Sequence, residues 1–145
     1  LNVCQTSGGY HRWLRRYSQQ STLNEDELNK FRTFADTDWR TDKKFAPLVR
    51  MNELRVPFIR DTYRTSSPLQ TSKPLTGIRL LEIGCGAGIL AEPLARLGAD
   101  VTAIDPVAEN IAMADSHRMG DKGVADNLKY ECVSIEEFAM RDQMA

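Results

Sequence analysis

Two carboxylates and three glycines carry most of the chemistry this sequence offers. Glu82 stands near the carboxyl end of a short apolar run, Ile78 to Ile83, and Gly84, Gly86 and Gly88 then alternate with small residues. Glycine lets a backbone turn sharply and lets a ligand approach where a Cβ would collide. A helical pattern opens at about Ile89, and a helix start presents free amide N–H groups. Strand, glycine loop and helix in that order begin a nucleotide-binding βαβ unit. The alternative is a tight βα turn with no ligand. Asp105 lies 23 positions after Glu82, at the end of the next apolar run. A carboxylate there can accept hydrogen bonds from both hydroxyls of a ribose. An Asp-Pro turn or a helix cap would explain it without any ligand.

The loop spacing separates ligand classes. A dinucleotide fingerprint, G-x-G-x-x-G, would need glycine at position 89, where Ile89 stands. What stands instead is E-x-G-x-G-x-G, Glu82 to Gly88. That pattern resembles motif I of the S-adenosylmethionine (AdoMet) dependent methyltransferases of the Rossmann-like class. Such enzymes hold no pyrophosphate, and the leading acid suits the ligand's amino group.

Composition narrows the remaining classes. At 145 residues the chain has the length of one modest domain, and 41% hydrophobic with 27% charged residues is ordinary for a soluble protein. No apolar run approaches a membrane span. A formal net charge of −1 gives no reason to expect nucleic acid as a partner. Cys4, Cys85 and Cys132 are scattered, forming neither a disulfide framework nor a zinc pattern. Cys85 reads as a small tolerated side chain of the loop rather than a nucleophile.

The elements that must position these residues follow from the pattern along the chain. The first 23 residues contain no acid; Arg12, Arg15 and Arg16 lie among Ser, Thr and aromatic residues. Such a stretch is read as the end of a mitochondrial transit peptide or as a disordered basic tail. Residues 24–77 are expected to supply helices and a linker. Asn24 and the acids after it cap and charge a helix to about Ala35, with Leu28 and Phe31 on one face. Asp36 to Asp42 is a polar loop with one anchored indole, Trp39. Phe45 to Asp61 is a second helix, interrupted or kinked at Pro57, with Asn52 able to cap the restarted segment. Its Met51, Leu54 and Phe58 are expected to pack against the sheet. Ser66 to Gly77 is a turn-rich linker. Residues 78–145 hold the strands: the Ile78–Ile83 run, Val101–Ile104 closed by Asp105-Pro106, and Leu128–Val133. Helices run from about Ile89 to Leu97, ended by Gly98, and from Val107 to Arg118. His117 near the second helix's end suits the helix dipole better than a metal. Ser134 and Ile135 follow the third strand, where related enzymes place residues around adenine; Ser134 could equally cap a helix.

Taken together, Phe45–Leu48, Met51–Asp61, Leu81–Gly86, Leu90–Leu94 and Ile104–Ile111 resemble the mitochondrial ubiquinone-biosynthesis O-methyltransferases, over about Lys30 to Glu137. The resemblance implies an α/β, Rossmann-like AdoMet-dependent methyltransferase fold, here truncated after the third strand. It implies methyl transfer to phenolic oxygens of polyprenylated precursors. A ubiquinone-biosynthesis complex at the matrix side of the inner membrane would then be the partner. By the same resemblance Arg55, Gly84 and Asp105 contact AdoMet, with Gly86 and Gly88 completing the loop and Arg55 pairing with the methionine carboxylate. A surface arginine shielding a helix is the other reading of Arg55. The family usually carries a second tryptophan near Trp39, and a glycine where Ala87 stands. Its E-x-x-E-H site for a divalent metal such as Mg has no counterpart. The chain is therefore expected to hold the cofactor half of such an enzyme, without a catalytic residue of its own, and to be inactive and poorly folded alone.

Overall fold

The computed structural model describes residues 23–35, 37–63 and 72–142. The basic segment thus lies outside the described residues except for Leu23, as does most of the linker. Three short strands form a parallel sheet in the order β1-β2-β3: β1 is Arg79–Ile83, β2 is Asp100–Asp105 and β3 is Leu128–Cys132. Leu80 pairs with Val101 and Glu82 with Ala103, while Asp105 pairs with Cys132. This register puts Leu80, Glu82, Val101, Ala103, Leu128 and Tyr130 on one face, because successive side chains point to opposite sides. Two crossover helices cover that face. Helix α3 is Ala91–Arg96 and α4 is Ala108–Met119. Both follow a strand and return to a parallel neighbour, as right-handed βαβ units do. The core they close is built of small and branched residues, with Ala91, Leu94, Ala95, Val101, Ala103 and Ala114 buried together. Small side chains let the helices approach the sheet closely.

Three helices complete the described chain: α1, Glu25–Ala35; α2, Ala46–Tyr63; and α5, Ile135–Asp142. Asn24 caps α1, its side-chain oxygen accepting from Asp26 N at 2.9 Å. Leu28 is buried, but Phe31 on the same helix remains 55% exposed. Between α1 and α2 a single 3₁₀ turn, Lys43–Phe45, is capped by Asp42.

Helix α2 departs from expectation in two ways. It runs through Pro57 without a break, since a missing N–H removes one bond and leaves its neighbours in place. Its apolar stripe, Met51, Leu54 and Phe58, does not pack on the sheet: Leu54 is 78% and Phe58 73% exposed. The inward stripe is instead Asn52, Arg55, Val56 and Ile59, the i, i+3, i+4, i+7 spacing of one helix face. Val56 and Ile59 reach the core. Asn52 brings this face inward because the carbonyl of Ile89, just after the glycine loop, accepts from its side chain, and Arg55 is held beside it by Asn52. Helix α3 is also shorter than expected, beginning at Ala91, because residues 86–90 form turns.

Candidate functional site

The first three residues of the glycine loop are fastened to the end of β2. Gly84 N and Cys85 N both donate to the Ile104 carbonyl, at 2.8 and 3.0 Å. Gly86 N donates to Asp105 Oδ2 at 2.9 Å. Gly84 and Gly86 take φ of +74° and +52°, and a Cβ on either would meet nothing. Their requirement is conformational, and their open side leaves the backbone accessible.

That open side faces a cavity of about 640 Å³ whose lining includes Arg55, Glu82, Gly84, Gly86, Asp105 and Asn110. Five of the seven residues singled out from the sequence therefore meet in one place. Two of them carry unsatisfied atoms. Glu82 Oε2 and Arg55 Nε are buried and have no hydrogen-bond partner among the described residues. A buried polar atom without a partner is costly. Glu92 Oε1, His117 Nδ1 and Tyr130 Oη share that state away from the cavity, so what distinguishes the Glu82 and Arg55 atoms is that their residues line it together. Burial pushes the Glu82 carboxyl up to about 7; Arg55 pulls it back and Asp105 adds to the rise. Arg55 keeps part of its guanidinium engaged, Nη2 donating to Asn52 Oδ1 at 2.6 Å.

Asp105 is more occupied than the ribose reading expects. Besides Gly86 N, it accepts from Val107 N at 2.9 Å and from Asn110 Nδ2 at 3.4 Å through Oδ1. A carboxylate offers about four acceptor positions. Three are used in tying the loop to the start of α4, so the cap reading describes its bonds within the chain.

Gly88 and Ser134 stand apart from the cavity lining. Gly88 has φ +85°, and a Cβ on it would run into the Tyr130 side chain. Close packing explains this glycine. Ser134 forms a reciprocal cap on α5: Glu137 N donates to Ser134 Oγ at 3.2 Å, and Ser134 N to Glu137 Oε2 at 3.5 Å. Cys85 is buried, and desolvation and nearby carboxylates push its thiol up, which suppresses the thiolate.

The helices outside the sheet are tied to the same loop. Asn52, expected to cap a restarted helix, donates from Nδ2 to the Ile89 carbonyl at 2.7 Å and accepts from Arg55. It orients the arginine. Its three-residue spacing from Arg55 was the available clue. Trp39 Nε1 donates to the Ala87 carbonyl at 2.8 Å, which gives the expected anchored indole its partner. Beside it Arg40 Nη2 meets the buried Glu92 Oε2 at 2.7 Å, and Arg96 reaches the same oxygen at 3.2 Å. His117 does more than sit at a helix end. It is buried between Asp38 and Glu92, at 3.3 and 3.6 Å, with its ring edge-on to Trp39. Among the described residues no cluster of three or more His, Cys, Asp or Glu could hold a metal ion.

A strand-end acid, a left-handed glycine loop and a second strand-end acid thus meet at one cavity. A family model described as a methyltransferase domain matches residues 51–139. The chain belongs to the methyltransferase domain family. Among curated relatives of this chain, the mitochondrial ubiquinone biosynthesis O-methyltransferase of Rattus norvegicus is 46% identical over 126 residues. The match covers 86% of this chain and 36% of the relative. The Arabidopsis thaliana protein of that name is 42% identical, over 86% of this chain and 39% of its own. A Bradyrhizobium ubiquinone biosynthesis O-methyltransferase is 40% identical, over 88% and 50%. The chain thus spans about a third to a half of these relatives' length. Of solved structures, a SAM-dependent methyltransferase from Agrobacterium tumefaciens matches with a TM-score of 0.50 at 15% identity, over 64% of this chain and 27% of that one. That likeness concerns the fold.

Proposed function

We propose that this chain forms the cofactor-binding part of an AdoMet-dependent O-methyltransferase that acts on phenolic oxygens of polyprenylated ubiquinone precursors. One observation carries the reading: the unsatisfied, buried Arg55 Nε and Glu82 Oε2 line one cavity beside the glycine loop. A free α-amino acid end, one carboxylate and one ammonium, is complementary to that pair. Arg55 would grip the carboxylate with a charge-assisted bond. Glu82 would take the ammonium, and an adjacent cation would favour its ionised form. Gly84 and Gly86 would admit the ligand close to the backbone. Asp105, with one acceptor position left, would take a single ribose hydroxyl. When bound, AdoMet supplies an electrophilic methyl group on a sulfonium. The chain's part is to orient it and to exclude water, so that proximity carries much of the rate.

The phenolic substrate and the pathway rest on the names of the relatives. Mitochondrial location, on the matrix side and peripheral to the inner membrane beside other ubiquinone-biosynthesis enzymes, extends the same names. Among the described residues no helix is long and apolar enough to cross a membrane. The test is calorimetric titration of the protein, expressed from its complete reading frame, with AdoMet and with NADH. Saturable AdoMet binding that weakens about tenfold or more in Glu82→Gln is expected, because one ion pair is lost. NADH binding without AdoMet binding would overturn the reading.

A further inference from the structure

The cavity has a second character that the amino acid end of a cofactor does not use. Beside the glycine loop its wall includes Leu23, Leu28 and Phe31 from the α1 region, Phe45 from the 3₁₀ turn and Leu48 from the start of α2, interspersed with the polar Asn24, Glu27, Thr37 and Lys44. Leu23, Phe31 and Leu48 stay 40%, 55% and 45% exposed. Large apolar side chains gathered at a cavity mouth mark a binding surface when they are contiguous. Here they are continuous with the polar floor, in a single space.

Resting on the methyltransferase reading, we propose that this wall is the acceptor subsite. The phenol ring stands next to the glycine-loop floor and the hydrocarbon chain leaves along Phe31, Phe45 and Leu48. The chemistry of the two ends supports that direction. Three charged groups, Arg55, Glu82 and Asp105, stand at the floor, where an amino acid and a ribose would find partners, while on the other wall Glu27 and Lys44 lie among the apolar side chains. A prenyl chain has no polar group to satisfy and gains only from leaving water, which suits the opposite end. Leu48 and Arg55 share one face of α2, two turns apart, so a single helix spans both ends. The exposed stripe of the same helix, Leu54 and Phe58, lies outside the cavity lining.

The experiment compares two probes, catechol and catechol carrying a farnesyl chain, by equilibrium titration of the protein expressed from its complete reading frame. The farnesylated probe is expected to bind about tenfold or more tightly, a gain matched by burying two or so methylene groups. Phe31→Ser and Leu48→Ser should lose most of that preference, and their exposure makes both tolerable to the fold. Phe58→Ser, equally apolar and outside the cavity, should keep it. Equal affinities for the two probes, or an equal loss in Phe58→Ser, would overturn the assignment. AdoMet is titrated separately. Wild-type protein that binds AdoMet but ignores the chain overturns the wall's role alone, whereas failure to bind AdoMet overturns the methyltransferase reading and this inference with it.

Discussion

Two glutamates on either side of the glycine loop are built in opposite ways. Glu92, fully buried at the start of α3, has Arg40 and Arg96 on one carboxylate oxygen and His117 near the other. Its counter-charges come from its own chain. Glu82, at the end of β1, has Arg55 nearby but a buried oxygen without a donor among the described residues. Each keeps one buried oxygen without a hydrogen-bond donor among the described residues, Glu92 Oε1 and Glu82 Oε2. What separates them is that two arginines are paired with the other oxygen of Glu92, whereas no Lys or Arg among the described residues forms an ion pair with Glu82. The region behind the loop, with Trp39, Arg40, Glu92 and His117, holds shape. The region in front, with Arg55, Glu82 and the open glycines, is left to be completed.

The sharpest way to break this contrast is to delete each acid. Glu92→Ala should destabilise the protein by about 2–4 kcal/mol, measured by urea unfolding. Removing one partner of a buried pair leaves the other uncompensated, although the part-exposed arginines can recover some hydration. Glu82→Gln should do the reverse above neutrality. The ordinary carboxyl value is 4.5, and the folded value is about 7. Between them the folded state holds a proton that the unfolded state has lost. The Glu82 contribution is therefore intact below pH 4.5, declines as pH rises through 7 and stays lost above it. At pH 8 the glutamine variant should be more stable by on the order of 2–3 kcal/mol, allowing for partial solvent access. Equal destabilisation by both changes would erase the distinction. A flat wild-type stability between pH 5 and 8 would place Glu82 in water.

How much of this was legible in the sequence differs between the two regions. The front was visible because its signal is local. Glycines at two-residue spacing behind a strand, and an acid at the end of the next one, need only the βαβ order to be brought together. The back was not, because it is built from residues remote in sequence, such as Arg40 and Glu92, whose types are ordinary at the surface. The error over α2 has a related cause. Met51, Leu54 and Phe58 carry the stronger apolar stripe, and periodicity alone chooses it. Tertiary demand chose the stripe with Asn52 and Arg55, where the Ile89 carbonyl accepts from Asn52 and Asn52 accepts from Arg55. Gly88 and Ser134, which do not line the cavity, are singled out by position in a motif. Their surroundings, the Tyr130 ring and the start of α5, are set by the fold.

A smaller effect tests how the front region grips its ligand. Arg55→Lys keeps the charge and loses the planar fork that bonds a carboxylate through parallel N–H groups. It also loses the Nη2 bond to Asn52 that orients the side chain. AdoMet affinity should fall about tenfold, near 1.4 kcal/mol, with little change in unfolding. Unchanged affinity would remove Arg55 from the site and leave Glu82 as the sole ionic contact on the floor.

The smallest expected effect falls on the boundary between the two regions. Trp39 belongs to the structural side by its packing on His117, yet its indole N–H reaches the carbonyl of Ala87 in the loop itself. Trp39→Phe keeps an aromatic ring for the edge-on contact and removes only the donor. One neutral hydrogen bond contributes about 0.5–1.5 kcal/mol to stability, and the loss should lie in that range because Ala87 is only half-buried and water can replace the indole. Gly84, Cys85 and Gly86 keep their own bonds to β2 and Asp105, so the loop retains its path. AdoMet affinity should therefore change less than about threefold, below 1 kcal/mol. Unfolding and AdoMet titration on the same preparation separate the outcomes. A variant with wild-type stability that no longer binds AdoMet would move Trp39 to the ligand side, and the division between a closed back and an open front would have to be drawn behind the indole instead of through it.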